Sequence, residues 1–142
     1  MRDSKNTWRT SNMQTKSYTD LEQSKVLAKI LPLESADMWW NYYSVTIDFG
    51  TPLIIHLDTP WVGSFNWSNK PDNIPCWSLA ALLKLMPKIG AQEPMLRKLY
   101  YISEPTERYI CQYSLTGMTS EYDNPVDACY EMIMKLKENN LL

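Results

Sequence analysis

Apolar positions along the chain change period several times, and each change marks an element. Residues 1–16 carry no apolar period and are expected to be disordered. Leu21, Ser24, Leu27, Ala28 and Leu31 then fall at helical spacing. Thr19 with Glu22 three residues later fits a capping box, and Asp20 and Glu22 suit the positive end of a helix. Pro32 stops the run, so the spacing predicts a helix over 19–31. From Trp39 the period becomes two. Tyr43, Val45, Ile47 and Phe49 share one face against Tyr42, Ser44, Thr46 and Asp48. Gly50-Thr51-Pro52 breaks this strand, and Leu53–Leu57 reads as its return in a hairpin. Asp58–Ile74 is the longest stretch without a period.

Ser78 is a suitable N-cap for Leu79, Leu82, Leu83 and Met86, and Pro87 ends this second helix, predicted over 79–86. Alternation over 97–103 and again through Tyr109, Cys111 and Tyr113 reads as a second hairpin. Residues 116–123 are polar and read as a loop. Asn124-Pro125 supplies an N-cap and a first-turn proline for a last helix. Its buried stripe is Val126, Cys129, Tyr130, Ile133 and Leu136, and its stop is Asn139-Asn140. Leu141-Leu142 are expected to fold back onto the domain. The order α-β-β-α-β-β-α predicts an α+β fold, with a mostly antiparallel sheet of about four strands and packed helices. A single globular domain is expected over 17–142, behind a 1–16 arm.

Composition narrows the class. The 142 residues are 44% apolar with a formal net charge of −2, which excludes wholesale disorder. Charge is unevenly spread. Arg2, Lys5, Arg9 and Lys16 face only Asp3 in the arm, so the body that follows is acidic. An acidic body argues against a main nucleic-acid-binding face, although the basic arm keeps a nucleic-acid-associated role as an alternative. No apolar run is long enough to span a membrane, and no apolar segment follows the charged N-terminus, so a cytoplasmic location is expected. Cys76, Cys111 and Cys129 are odd in number, lack a CxxC spacing and neighbour apolar residues, which reads as small buried hydrophobes.

Catalytic motifs are scarce. His56 is the lone histidine, and it sits inside an apolar strand, where a hydrogen-bonded structural role is expected. With only 4 Gly there is no P-loop, no G-x-G-x-x-G and no Gly-x-Ser-x-Gly elbow, so no cofactor is expected. Carboxylates such as Asp48 and Asp58, acting with His56, leave a small enzyme as an alternative. Aromatic residues carry more information: 6 Trp and 9 Tyr stand against 2 Phe. Trp61, Phe65, Trp67 and Trp77 fall in or beside the long aperiodic stretch, and Trp39, Trp40 and Tyr42 open the first strand. Trp and Tyr join a flat apolar face to a polar edge and concentrate at interfaces and ligand pockets. An alternating strand cannot bury Trp39, Trp40, Tyr42 and Tyr43 on one side.

Three segments carry a resemblance. They are Leu31-Pro32-Leu33-Glu34-Ser35-Ala36-Asp37-Met38, Ile74-Pro75-Cys76-Trp77-Ser78-Leu79-Ala80-Ala81-Leu82-Leu83 and Asn124-Pro125-Val126-Asp127-Ala128-Cys129-Tyr130-Glu131-Met132. Together they resemble small uncharacterised proteins of gut Bacteroidales, their prophages and other mobile elements. The resemblance implies a bacterial or phage setting and carries no functional residues. The reading that follows is a non-catalytic binding or interaction protein, using Trp61, Phe65, Trp67, Trp77, Trp39, Trp40 and Tyr42. Its expected counterpart is a protein partner, a small planar ligand or a second copy of the chain.

Overall fold

The computed structural model describes residues 16–46, 50–62, 72–100, 107–114 and 116–142. The fold is α+β, as the periodicity predicts. Helices α1 (Leu21–Ala28), α2 (Leu79–Leu85) and α3 (Pro125–Glu138) accompany strands β1 (Met38–Trp40), β2 (Tyr42–Val45), β3 (Leu53–His56), β4 (Trp61–Val62), β5 (Ile74–Cys76), β6 (Met95–Tyr100), β7 (Glu107–Tyr113) and β8 (Met118–Tyr122). The strands pair antiparallel throughout, in three small sheets ordered β4-β1-β5, β2-β3 and β6-β7-β8 among the described residues. Three strands lie where no alternation was visible. Strands β4 and β5 are two and three residues long, too short to show a period, and β5 contains Pro75. Strand β8 is Met-Thr-Ser-Glu-Tyr, with the hydroxyl-bearing Ser120 at its most buried position, between Met118 and Tyr122 on the same face.

By compactness the chain divides into two units. Among the described residues, one lies within Tyr18–Met86; the other comprises Lys16 and Ser17 with those of Pro87–Leu142.

In the first unit, α1 is capped one residue later than the spacing predicts. Gln23 N donates to the Asp20 side chain at 2.7 Å, and Asp20 N donates to Gln23 Oε1 at 3.1 Å. Thr19 is drawn inward instead, where it is fully buried. Its Oγ1 accepts from Trp77 N at 3.2 Å and lies 2.8 Å from Ser24 Oγ, while its own N–H donates to Trp77 O at 3.0 Å. Thr19 thus ties the start of α1 to the junction of β5 and α2. Met38 and Trp40, two apart on β1, share the face that packs with Cys76, Tyr18, Leu21 and Ile74. Trp40 donates Nε1–H to Ser24 Oγ at 3.1 Å, and Trp77 donates to Ser35 Oγ at 2.9 Å, so both buried indoles are satisfied. Ser78 caps α2 as predicted, accepting from Ala81 N at 3.1 Å. Asp37 in turn accepts from Ser78 N at 2.9 Å and from the Ser78 hydroxyl.

In the second unit, β6-β7-β8 is a meander with α3 packed on β7 and β8. Cys111 and Tyr113 of β7 are fully buried, as are Val126, Cys129, Met132, Ile133 and Leu136 of α3. The Tyr113 hydroxyl escapes the apolar core by donating to Pro87 O at 2.7 Å. Asn124 caps α3, accepting from Asp127 N at 2.8 Å, with Pro125 behind it in the first turn. Asn140 ends the helix at φ 58°, the left-handed stop expected there. The last two residues differ from expectation. Leu141 and Leu142 stay about two-fifths exposed, although Leu141 N closes the helix end by donating to Leu136 O.

Candidate functional site

Register builds the aromatic face. Trp39 is paired across β1–β4 with Trp61 and across β1–β5 with Pro75, so the three side chains share one side of the sheet. Met38 and Trp40 take the other side, toward α1. The ring centroids of Trp39 and Trp61 lie 6.2 Å apart at 57°, within the range of attractive aromatic pairs. Among the described residues strand β4 is an edge, and its residues are open: Trp61 is 50% exposed and Val62 77%. Half of the Trp61 side chain is thus left in water beside a second indole.

A polar feature lies on the same parity. Asn73 precedes β5 by one residue and alternates with Pro75 rather than with Ile74 and Cys76. It is 6% exposed, and neither its Nδ2 nor its Oδ1 has a hydrogen-bond partner. Buried carboxamides in native proteins are nearly always paired, so an unpaired one is an exception that asks for a reason. Asp72-Asn73 reads in sequence as a turn dipeptide, and nothing in the pattern separates this residue from other loop asparagines. Its neighbour Asp72 contributes a backbone carbonyl that lies 2.9 Å from His56 Nε2.

The sequence-predicted residues separate into three groups. Trp61 and Trp39 come together on the sheet face. Tyr42 stands on the neighbouring β2–β3 ladder opposite His56, with ring centroids 6.3 Å apart. Trp77 is fully buried and Trp40 is 6% exposed. Their flat faces fill the core, which corrects their place on the expected surface: each donates its indole N–H inward, and neither can meet a partner in the folded chain. Phe65 and Trp67 lie outside the described residues, as do Asp48 and the arm before Lys16.

The remaining chemistry is structural where it is described. His56 Nε2 is engaged by the Asp72 carbonyl, the bonded role expected of it. Cys76, Cys111 and Cys129 are buried, and none of them is in a disulfide. Cys76 Sγ donates to Thr19 O at 3.3 Å, and burial pushes its thiol up from the ordinary value. Among the described residues no group of three or more His, Cys, Asp and Glu is placed to hold a metal ion, and no helix is long and apolar enough to cross a membrane. An open groove of about 530 Å³ lies between the 3-10 turn Leu33–Ser35 and α2. Asp37, on its wall, is committed to capping α2.

No protein-family model, curated protein or solved structure matches this chain.

Proposed function

We propose that this chain is a non-catalytic binding or interaction protein whose contact surface is the Trp39–Trp61 face of the β4-β1-β5 sheet. One observation carries the reading: Trp61 stands half in water on an edge strand, braced by Trp39 behind it. A braced indole offers a large contact area with little entropy left to lose on binding. The counterpart is a protein partner or a small planar ligand.

The resemblance of the three segments supports a role as an accessory protein of a phage or mobile element, in the bacterial cytoplasm. A catalytic role for His56 gains no support, because its Nε2 is held by a backbone carbonyl. A nucleic-acid role for the basic arm gains none either. Lys16, its one described residue, is bonded to Asp127 at 2.8 Å.

The test is alanine at Trp61 in the full chain, followed by native mass spectrometry of protein purified from its natural host. A bound small molecule or associated subunit should be present on the parent and absent from Trp61→Ala. An unchanged complement of bound species would remove Trp61 from the surface.

A further inference from the structure

Positive charge gathers on one strand of an acidic chain. The formal net charge of the whole sequence is −2, yet β6, Met-Leu-Arg-Lys-Leu-Tyr, carries two cations and no anion. Alternation sends Arg97 to one face of the sheet and Lys98 to the other. Both side chains are exposed, as are Met95 and Tyr100 at the strand ends, at 45% and 64%. Lys98 Nζ meets Glu107 Oε2 on β7 at 2.7 Å, but more than half of each side chain stays in water. Arg97 Nη2 donates to Gln112 Oε1 at 3.4 Å. Each cation therefore keeps further N–H donors to offer outward.

Strand β6 is also an open edge. It pairs with β7 over six consecutive residues without a bulge, and among the described residues it has no second neighbour. The opposite edge strand, β8, is occupied differently: α3 packs on it, and Lys135 donates to Thr119 O. An open edge presents backbone N–H and C=O groups that a further strand can satisfy.

A second copy of the chain is a poor occupant. Antiparallel self-pairing about a two-fold axis sets side chains of one face opposite one another, so its centre falls on a residue. The two registers that use most of the strand centre on Arg97 or on Lys98. Each sets that cation against its own copy, and like charges directly opposite destabilise a ladder. The chain also lacks a matching segment of its own, since no two acidic residues are adjacent anywhere in it.

We propose that the β6 edge receives an extended acidic segment of another protein by strand addition. The segment carries two adjacent carboxylates flanked by apolar residues. One carboxylate faces Arg97 and the next faces Lys98 on the other side of the sheet, while the flanking residues lie beside the half-buried Leu96 and Leu99. This tetrad reads the same in either strand direction. The surface belongs to the other unit from the Trp39–Trp61 face and does not depend on it.

The test mixes the full chain with a fluorescent peptide, Thr-Val-Glu-Glu-Val-Thr, capped at both ends, and with its Thr-Val-Lys-Lys-Val-Thr counterpart. Anisotropy reads binding, and hydrogen exchange reads its place. The acidic peptide should bind saturably and slow exchange in residues 95–100; the lysine peptide should not bind. Arg97→Glu with Lys98→Glu should weaken the acidic peptide roughly tenfold. Two further acidic peptides, N-methylated at alternate residues in the two phases, keep the charge and remove backbone donors. The phase whose nitrogens face β6 should lose binding, which decides the matter in the unaltered chain even if the double variant fails to fold. No saturable binding, equal binding of the acidic and lysine peptides, protection outside β6, or full affinity in both methylated phases would each overturn the proposal. So would a concentration-dependent dimer that slows exchange in the same residues, which would make a second copy the occupant.

Discussion

Asn73→Leu measures what an unpaired buried carboxamide costs the fold. Leucine has the branched skeleton of asparagine, so the substitution exchanges a buried NH₂ and a buried oxygen for two methyl groups. Both polar atoms lack a partner in a side chain that is 94% removed from water, the complement of its 6% exposure. An unpaired buried polar group costs about 1–3 kcal/mol, and an apolar replacement returns much of it. The slightly larger methyls take some back through tighter packing. The net expectation is a gain of about 1–2 kcal/mol, or a rise of roughly 2–8 °C in Tm for a chain of this length. Urea unfolding followed by tryptophan fluorescence measures it, with an unchanged slope as the sign that stability alone has moved. Asn73→Asp, which buries a charge at the same place, should destabilise instead. A loss of stability in Asn73→Leu would refute the reasoning, because it would mean that the carboxamide is paired in solution.

Other substitutions test the scaffold. Trp77→Ala removes a fully buried indole and its bond to Ser35, and should cost about 3–5 kcal/mol by denaturant unfolding. Thr19→Val keeps the shape but strands the buried Trp77 N–H; a loss of about 1–3 kcal/mol is expected in the same assay, and a neutral result would show that the tie is dispensable. Asn124→Ala deletes the cap of α3 and should lower stability by about 1 kcal/mol, visible as a fall in the thermal midpoint by circular dichroism.

Much of the architecture was legible because it follows from local rules. Ser78 and Asn124 cap helices where their spacing said they should, and the Tyr42–His56 ladder forms the hairpin that the alternation implied. Where the sequence misled, a tertiary contact outbid a local one. Thr19 has the chemistry of an N-cap, yet its hydroxyl goes to Trp77 N, and Asp20 takes the cap. Strand β8 went unseen because Ser120 occupies an inward position where the pattern looks for an apolar residue. At the candidate site, the concentration of tryptophan on the first strand and the long stretch after it was visible, but its division was not. Alternation puts Trp39 and Trp40 on opposite faces. Which face meets α1 depends on Ser24, sixteen residues earlier, accepting from the Trp40 indole. Trp77 was drawn inward by the same helix through Thr19, and the unpaired state of Asn73 has no sequence signature at all.

The central claim is that Trp61 serves contact rather than packing. The most direct measurement is the unfolding free energy of Trp61→Ala beside its native mass spectrum, on protein from the natural host. The indole is half exposed, so its removal should cost about 1–2 kcal/mol, well below the cost at Trp77, while the species bound to the parent disappears. A loss of 3 kcal/mol or more, in the range of a core tryptophan, or a bound species that survives the substitution, would contradict the account.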